Sequence, residues 1–140
     1  MPKEVIEKPL PAVIAAVQLP SVSDDEFKVS ITELRELAKT LGFKVVRTFI
    51  QKRAGFDRTG YLGVGKRQEI SRFVSDGIEP GDDSELNDAV PAAVSLDGEA
   101  IEVLLVDHEI SPSQARNLEL EVGCEVMDRT MVILEIFHRN

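Results

Sequence analysis

The densest group of residues able to do chemistry lies between Gln51 and Arg67. Gly60-Tyr-Leu-Gly-Val-Gly-Lys places Gly60 and Gly65 at the spacing of a phosphate loop, with Lys66 next. A phosphate loop then needs Ser or Thr to ligate magnesium. Here Arg67 follows, and the polar stretch Gly55-Phe-Asp-Arg-Thr stands where a buried strand belongs. A nucleotide-hydrolysing loop is therefore not expected. The glycines read first as a tight strand-to-helix turn. An anion-binding turn at a helix start is the competing reading. Lys52, Arg53, Arg58, Lys66 and Arg67 surround the turn with a single acid, Asp57, among them. Phe56 and Tyr61 add rings of the kind RNA binders stack on bases.

The remaining reactive side chains are scattered. Cys124 is the one cysteine, so no internal disulfide can form, and it reads as a small buried thiol rather than a nucleophile. His108 and His138 share no metal-ligand spacing with it. Asp107 and Glu109 flank His108 and read as solvated strand-end charges rather than an acid–base pair. No catalytic residue and no metal ligand is expected.

The net charge of −9 argues against general affinity for nucleic acid. Seven of those charges sit between Gly77 and Ala100, a stretch without any base, leaving −2 on the rest. The global value thus mostly reports one acidic segment, read as a flexible insertion with two prolines and three glycines. No apolar run approaches the roughly 20 residues that span a bilayer, and the N-terminus lacks the apolar core of a signal peptide. The chain reads as soluble and cytoplasmic.

The elements that must position the basic turn follow from periodicity. Leu10 to Gln18 is a continuous apolar run, the pattern of a strand buried on both faces. Ser23 with Glu26 makes a capping box before a helix striped by Phe27, Ile31, Leu34, Ala38 and Leu41. Gly42 is placed to end it. Phe43 to Ile50 predicts a second strand, Gln51 to Gly60 a mobile loop, and Ile70, Phe73 and Val74 one helical face stopped at Gly77. A third strand is expected over Ile101 to Asp107. Ser111, Pro112 and Gln114 open a third helix, ending near Gly123. Cys124 to Met127 is a short strand, and Asp128 caps a last helix to about His138. The alternation predicts a single α/β domain over 1–140: a mostly parallel sheet of about four strands covered by helices, with an acidic loop insertion at 77–100. Ligands of such folds sit beyond the carboxyl ends of the strands.

Taken together these segments resemble the N-terminal domain of HflX-type ribosome-associated GTP-binding proteins. Ala16-Val-Gln-Leu-Pro, Ser23-Asp-Asp-Glu-Phe and Leu34-Arg-Glu-Leu-Ala are similar to the start of that family. Gln51-Lys52-Arg53 is similar to its loop after the second strand. Tyr61-Leu-Gly-Val-Gly-Lys resembles its Tyr-Ile-Gly-Lys-Gly-Lys turn, with Val64 where a basic residue is common. Ile110-Ser-Pro-Ser-Gln-Ala-Arg-Asn-Leu-Glu and Val126-Met-Asp-Arg-Thr-Met-Val-Ile-Leu-Glu-Ile-Phe are the most specific strings. The acidic segment is longer than the family's usual connection.

The resemblance implies a module that docks on the large ribosomal subunit, contacts its RNA and influences a neighbouring GTPase domain. In the family a helical hairpin and a G domain follow. No residue here matches the motifs of that G domain, so GTP hydrolysis is not expected of this chain. The resemblance also implies weak adenine-nucleotide binding as an alternative, with no resident cofactor. Gln51, Lys52, Arg53, Tyr61, Gly63, Gly65, Lys66, Arg116 and Asn117 are the candidate RNA- or nucleotide-binding residues. Arg116, Asn117 and the Asp128–Thr130 segment have a competing reading as helix caps and loop braces. A stand-alone protein-interaction module is the other alternative. The apolar last helix, with Val132, Ile133, Ile136 and Phe137, would then meet a GTPase domain, another protein or a second copy of the chain.

Overall fold

The computed structural model describes residues 8–77 and 100–139. The acidic insertion expected at 77–100 lies, but for its two ends, outside the described residues.

Burial of an unbroken apolar run on both faces dictates a central strand, and β1 (Leu10–Gln18) is one. It pairs in parallel with β2 (Phe43–Lys52) on one side and with β3 (Val103–Val106) on the other. β4 (Glu125–Asp128) extends the sheet beyond β3, giving the order β2-β1-β3-β4, parallel throughout.

Side-chain alternation along β1 sorts the core into two layers. Val13, Ala15 and Val17 pack with Phe49, Ile70, Phe73, Leu104 and Leu118, under α2 (Val64–Asp76) and α3 (Pro112–Val122). Ala12, Ile14 and Ala16 pack with Phe27, Ile31, Leu34 and Val132, under α1 (Asp24–Thr40) and α4 (Arg129–His138). A bulge in β2 sets Val45 opposite Ala12 but Arg47 opposite Val13. The extra residue, Val46, therefore joins the α2 layer, where the Arg47 guanidinium also lies over the Phe73 ring at 5.8 Å.

The helix boundaries follow local chemistry. Ser23 and Ser111 both form complete capping boxes, with Glu26 and Gln114 reaching back to the cap amides. α2 and α3 end on Gly77 and Gly123 at φ values of +70° and +90°, which glycine adopts without steric cost.

The third strand is shorter than its apolar run because its ladder with β1 covers only Ala12 to Ala15. Beyond it the helices part: α1 leaves β1 on one face and α3 leaves β3 on the other. This is the topological switch point, where open α/β sheets form a crevice.

Candidate functional site

The switch-point crevice is filled from within. β3 ends at Val106, yet the Val17 amide still points to that side. It has no strand carbonyl to meet, and it donates instead to the Tyr61 hydroxyl at 2.9 Å. The same hydroxyl lies 2.6 Å from His108 Nδ1. The tautomer that gives the hydroxyl proton an acceptor carries the imidazole proton on Nε2, so that Tyr61 donates to Nδ1 while accepting from Val17. Phe56 closes the group, its ring centroid 5.1 Å from Tyr61 and 4.7 Å from His108. Burial raises the Tyr61 phenol far above its ordinary range, with the Asp107 charge adding to the effect. Burial also lowers the His108 pKa, helped by Arg129 and opposed by Asp107.

Tyr61 reaches this position with a φ of +74°, among the described residues the one such value outside glycine. A non-glycine residue there is strained and persists only where its surroundings enforce it. Asp57 and Tyr61 exchange both backbone hydrogen bonds, at 2.9 and 2.8 Å. The Asp57 carboxylate also accepts from the Thr59 and Gly60 amides. Those bonds, Gly60's the strongest, hold the Asp57 carboxyl below the usual carboxylate range, with Arg67 contributing. The segment expected to be a mobile loop is thus tied down. Gln114 and Asn117 of α3 donate to the Asp57 and Thr59 carbonyls, both bracing roles.

Two of the five clustered bases turn inward. Arg67 is 4% exposed and pairs with Asp57 and Glu121, while also donating to the Leu62 carbonyl. A side chain at Gly60 would come within 2.7 Å of Arg67 Cδ, so the close approach itself requires glycine. Lys66 is 6% exposed and bonds Glu69 at 3.3 Å. Lys52, Arg58 and Arg116 are exposed and Arg53 is partly so. Gln51 accepts from the Gly63 amide at 2.9 Å, and Arg53 lies so close over Gly63 that a Cβ would fall 2.9 Å from its Nη1. Gly65 is open, with nothing within contact distance of such a Cβ.

The structure therefore divides the nine candidate residues. Lys52, Arg53 and Gly65 lie on the outer rim where β2 ends and α2 begins, Gly63 is buried beneath Arg53 and the partly buried Gln51, and Arg116 is exposed on α3. Tyr61 and Lys66 are buried, and Asn117 braces the loop. Beside the rim lies a cleft of about 590 Å³ lined by Gln18, Leu19, Pro20, Ser23, Asp24, Lys52 and Arg53. Asp24 sits at its edge, its pKa lowered by the Gln18 amide and then by Lys52.

Asp107 corrects an expectation. It is not a solvated strand-end charge but 3% exposed, accepting from Ser30 at 2.8 Å and Arg129 at 3.1 Å. Arg129 also reaches the Ser30 carbonyl, so the cluster clamps α1, β3 and α4 together. Nothing in the residue pattern reveals this pairing, since Ser30 and Arg129 are 99 residues apart. Cys124 is half-buried and its thiol is pushed up to about 11 by burial and neighbouring Glu119, Glu125 and Glu102, so it stays protonated at neutral pH. Among the described residues, no three His, Cys, Asp or Glu side chains cluster as metal ligands would.

Residues 28–138 match the family described as GTP-binding GTPase N-terminal. The chain belongs to that family. Its relatives are HflX GTPases. The protein named GTPase HflX from Gluconacetobacter diazotrophicus is 40% identical over 94% of this chain and 33% of its own length. That from Lacrimispora saccharolytica is 36% identical over 96% of this chain and 27% of its own. The chain thus spans about a quarter to a third of these HflX proteins, as an HflX N-terminal domain. A GTP-binding protein from the archaeon Sulfolobus solfataricus, solved with GDP, shares the fold with a TM-score of 0.52 at 20% identity. The alignment covers 91% of this chain and 30% of that one. In this HflX domain Tyr61 is buried while Lys52 and Arg58 are exposed. No described helix is long and apolar enough to cross a membrane.

Proposed function

We propose that this HflX N-terminal domain is a binding module of the cytoplasm that docks on large-subunit ribosomal RNA and leaves GTP hydrolysis to the remainder of a longer protein. The observation that carries the reading is the rim of Lys52, Arg53 and Arg58, with Arg116 on α3. These bases stand outward at the carboxyl ends of the strands although the chain as a whole is acidic. The turn beneath them is held by Asp57, Tyr61 and Arg67, so the bases are presented on a braced surface, which limits the ordering cost of binding. Phosphate contacts of this kind release counterions and make affinity salt-dependent.

The test is sedimentation of the chain with 70S ribosomes and with separated subunits at about 50 and 200 mM salt. Co-migration with the large subunit that falls steeply with salt is expected. The combined variant Lys52→Glu, Arg53→Glu, Arg58→Glu should abolish it at the higher salt and flatten the salt slope by about 2–3. A folded chain that does not co-migrate at low salt, or a variant that binds as well as the parent, overturns the reading.

A second reading, a weak ATP or GTP site, is favoured by one observation. α2 opens on Gly63 without a side-chain cap, and Val64 and Gly65 are exposed. Amides at such a start attract anions. Lys66 is turned away to Glu69, so any site would rest on the amides and Arg53. A rise in melting temperature at millimolar nucleotide is expected if it binds, and a flat response removes this reading.

Of the α4 residues offered to a partner, Val132 is buried and Ile136 packs against the sheet layer, so the apolar face that α4 turns outward is Met131, Leu134 and Phe137. Because the chain spans about a quarter to a third of the HflX relatives it matches, we assign this face to the rest of the GTPase rather than to a foreign protein. A second copy of the chain is the outcome that light scattering at two concentrations would expose.

A further inference from the structure

A tyrosine strained in the left-handed region is retained only for a reason that its surroundings supply. Tyr61 is wholly buried at the switch point, on a turn whose outer side carries the basic rim. Its hydroxyl has two partners: it lies 2.9 Å from the Val17 amide, which donates to it, and 2.6 Å from His108 Nδ1, which accepts from it in the Nε2–H tautomer. His108 itself is only partly buried, so solvent protons reach the ring.

We propose that Tyr61 and His108 form a proton-operated latch. Neutral His108 holds the Asp57–Gly63 turn closed, and a proton on Nδ1 releases it.

The physical reason is one of hydrogen-bond supply. A protonated Nδ1 becomes a donor. The hydroxyl would then accept from both Val17 and His108, and its own proton would have no acceptor within the buried ring cluster. A buried donor left unmade weakens the closed arrangement. The surrounding charges do not cancel this. Asp107 at the end of β3 favours the proton, but it is already paired to Arg129 of α4, which disfavours it. β1 contributes only Val17, and the turn contributes Phe56 and Tyr61, uncharged at neutral pH. Asp57 on the same turn is paired with Arg67, and Glu109 beside the histidine is exposed.

The direction follows from the closed-state histidine titrating below its ordinary value of 6.5. The opened turn restores ordinary basicity, so protons favour opening. The closed form is fully favoured above the open-state value, loses ground as pH falls through it, and stops losing ground below the closed-state value.

The chain carries one tyrosine and no tryptophan, so absorption in the tyrosine band, at longer wavelength than that of its phenylalanines, reports Tyr61 alone. On lowering pH from 7.5 to 5, the tyrosine signal should shift from buried to exposed in a one-proton transition with its midpoint below 6.5. Far-ultraviolet circular dichroism should stay constant. Proton NMR of the parent should give the same midpoint for the His108 and Tyr61 rings, with His138→Asn identifying the second histidine. His108→Asn keeps an acceptor near Nδ1 and cannot titrate, so its tyrosine signal should be flat. A flat parent signal, unequal midpoints, a transition surviving in His108→Asn, or one that coincides with loss of helix overturns the latch. The measurement needs no RNA, so it stands apart from the docking reading.

Discussion

Tyr61→Ala is expected to lower stability by about 3–5 kcal/mol, the range for emptying a fully buried aromatic site. The ring fills the crevice against Phe56 and His108, and the hydroxyl satisfies the Val17 amide. Against a typical total of roughly 5–15 kcal/mol, that is a large share. Three substitutions at the site separate its contributions. Tyr61→Phe keeps the ring and leaves the Val17 amide and His108 Nδ1 without a partner, at about 1–3 kcal/mol. Tyr61→Gly loses the ring but adopts a φ of +74° freely, whereas alanine remains strained there by about 1–2 kcal/mol. Glycine should therefore be less damaging than alanine, the reverse of their order at ordinary positions. Urea unfolding of the three variants reads this directly. If alanine proves the more stable of the pair, the positive φ is not a property of the folded protein.

How much of this was legible in the sequence depends on whether the interaction was local. Ser23 with Glu26 and Ser111 with Gln114 announce their helices because both partners lie within one turn. The apolar run of β1 required a parallel sheet because only covering helices on both sides could bury it. The inward turn of Lys66 and Arg67 was not legible. Arg67 finds Glu121 across 54 residues, and a basic residue next to a glycine turn carries no mark of such pairing. Asp107 was misread for the same reason, since its partners come from α1 and α4. Tyr61 could be noticed as an aromatic ring in a basic segment, but its role depends on where β3 stops. The strand ended earlier than its apolar run, and the orphaned Val17 amide followed from that. Lys52 and Arg53 do lie where β2 ends, because the strand's own apolar pattern sets that position. Which of their neighbours face outward is a tertiary outcome.

Asp128→Ala is expected to cost about 2–4 kcal/mol, more than the loss of an ordinary helix cap. Asp128 was expected to cap α4, and its Oδ1 does accept from the Met131 amide at 2.9 Å. A cap alone is worth about 1 kcal/mol. The second oxygen accepts from the Ile110 amide at 3.0 Å, where the chain passes from β3 to α3. Asp128 is itself buried, so removing it leaves that amide short of a partner away from bulk water, at about 1–3 kcal/mol more. Substitutions can divide the two roles. Asp128→Ser should recover most of the cap through its hydroxyl but not reach Ile110 as well, and so return about half of the loss. Ser23→Ala on α1 supplies the reference for a solvent-exposed cap. If Asp128→Ala costs no more than Ser23→Ala, the bond to Ile110 contributes nothing, and α4 is anchored by Arg129 and by the packing of Val132 and Ile136. If it costs the larger amount, the side chain that starts α4 also fixes the approach to α3, which braces the basic rim. The face assigned to the GTPase and the rim assigned to RNA would then share one buried carboxylate.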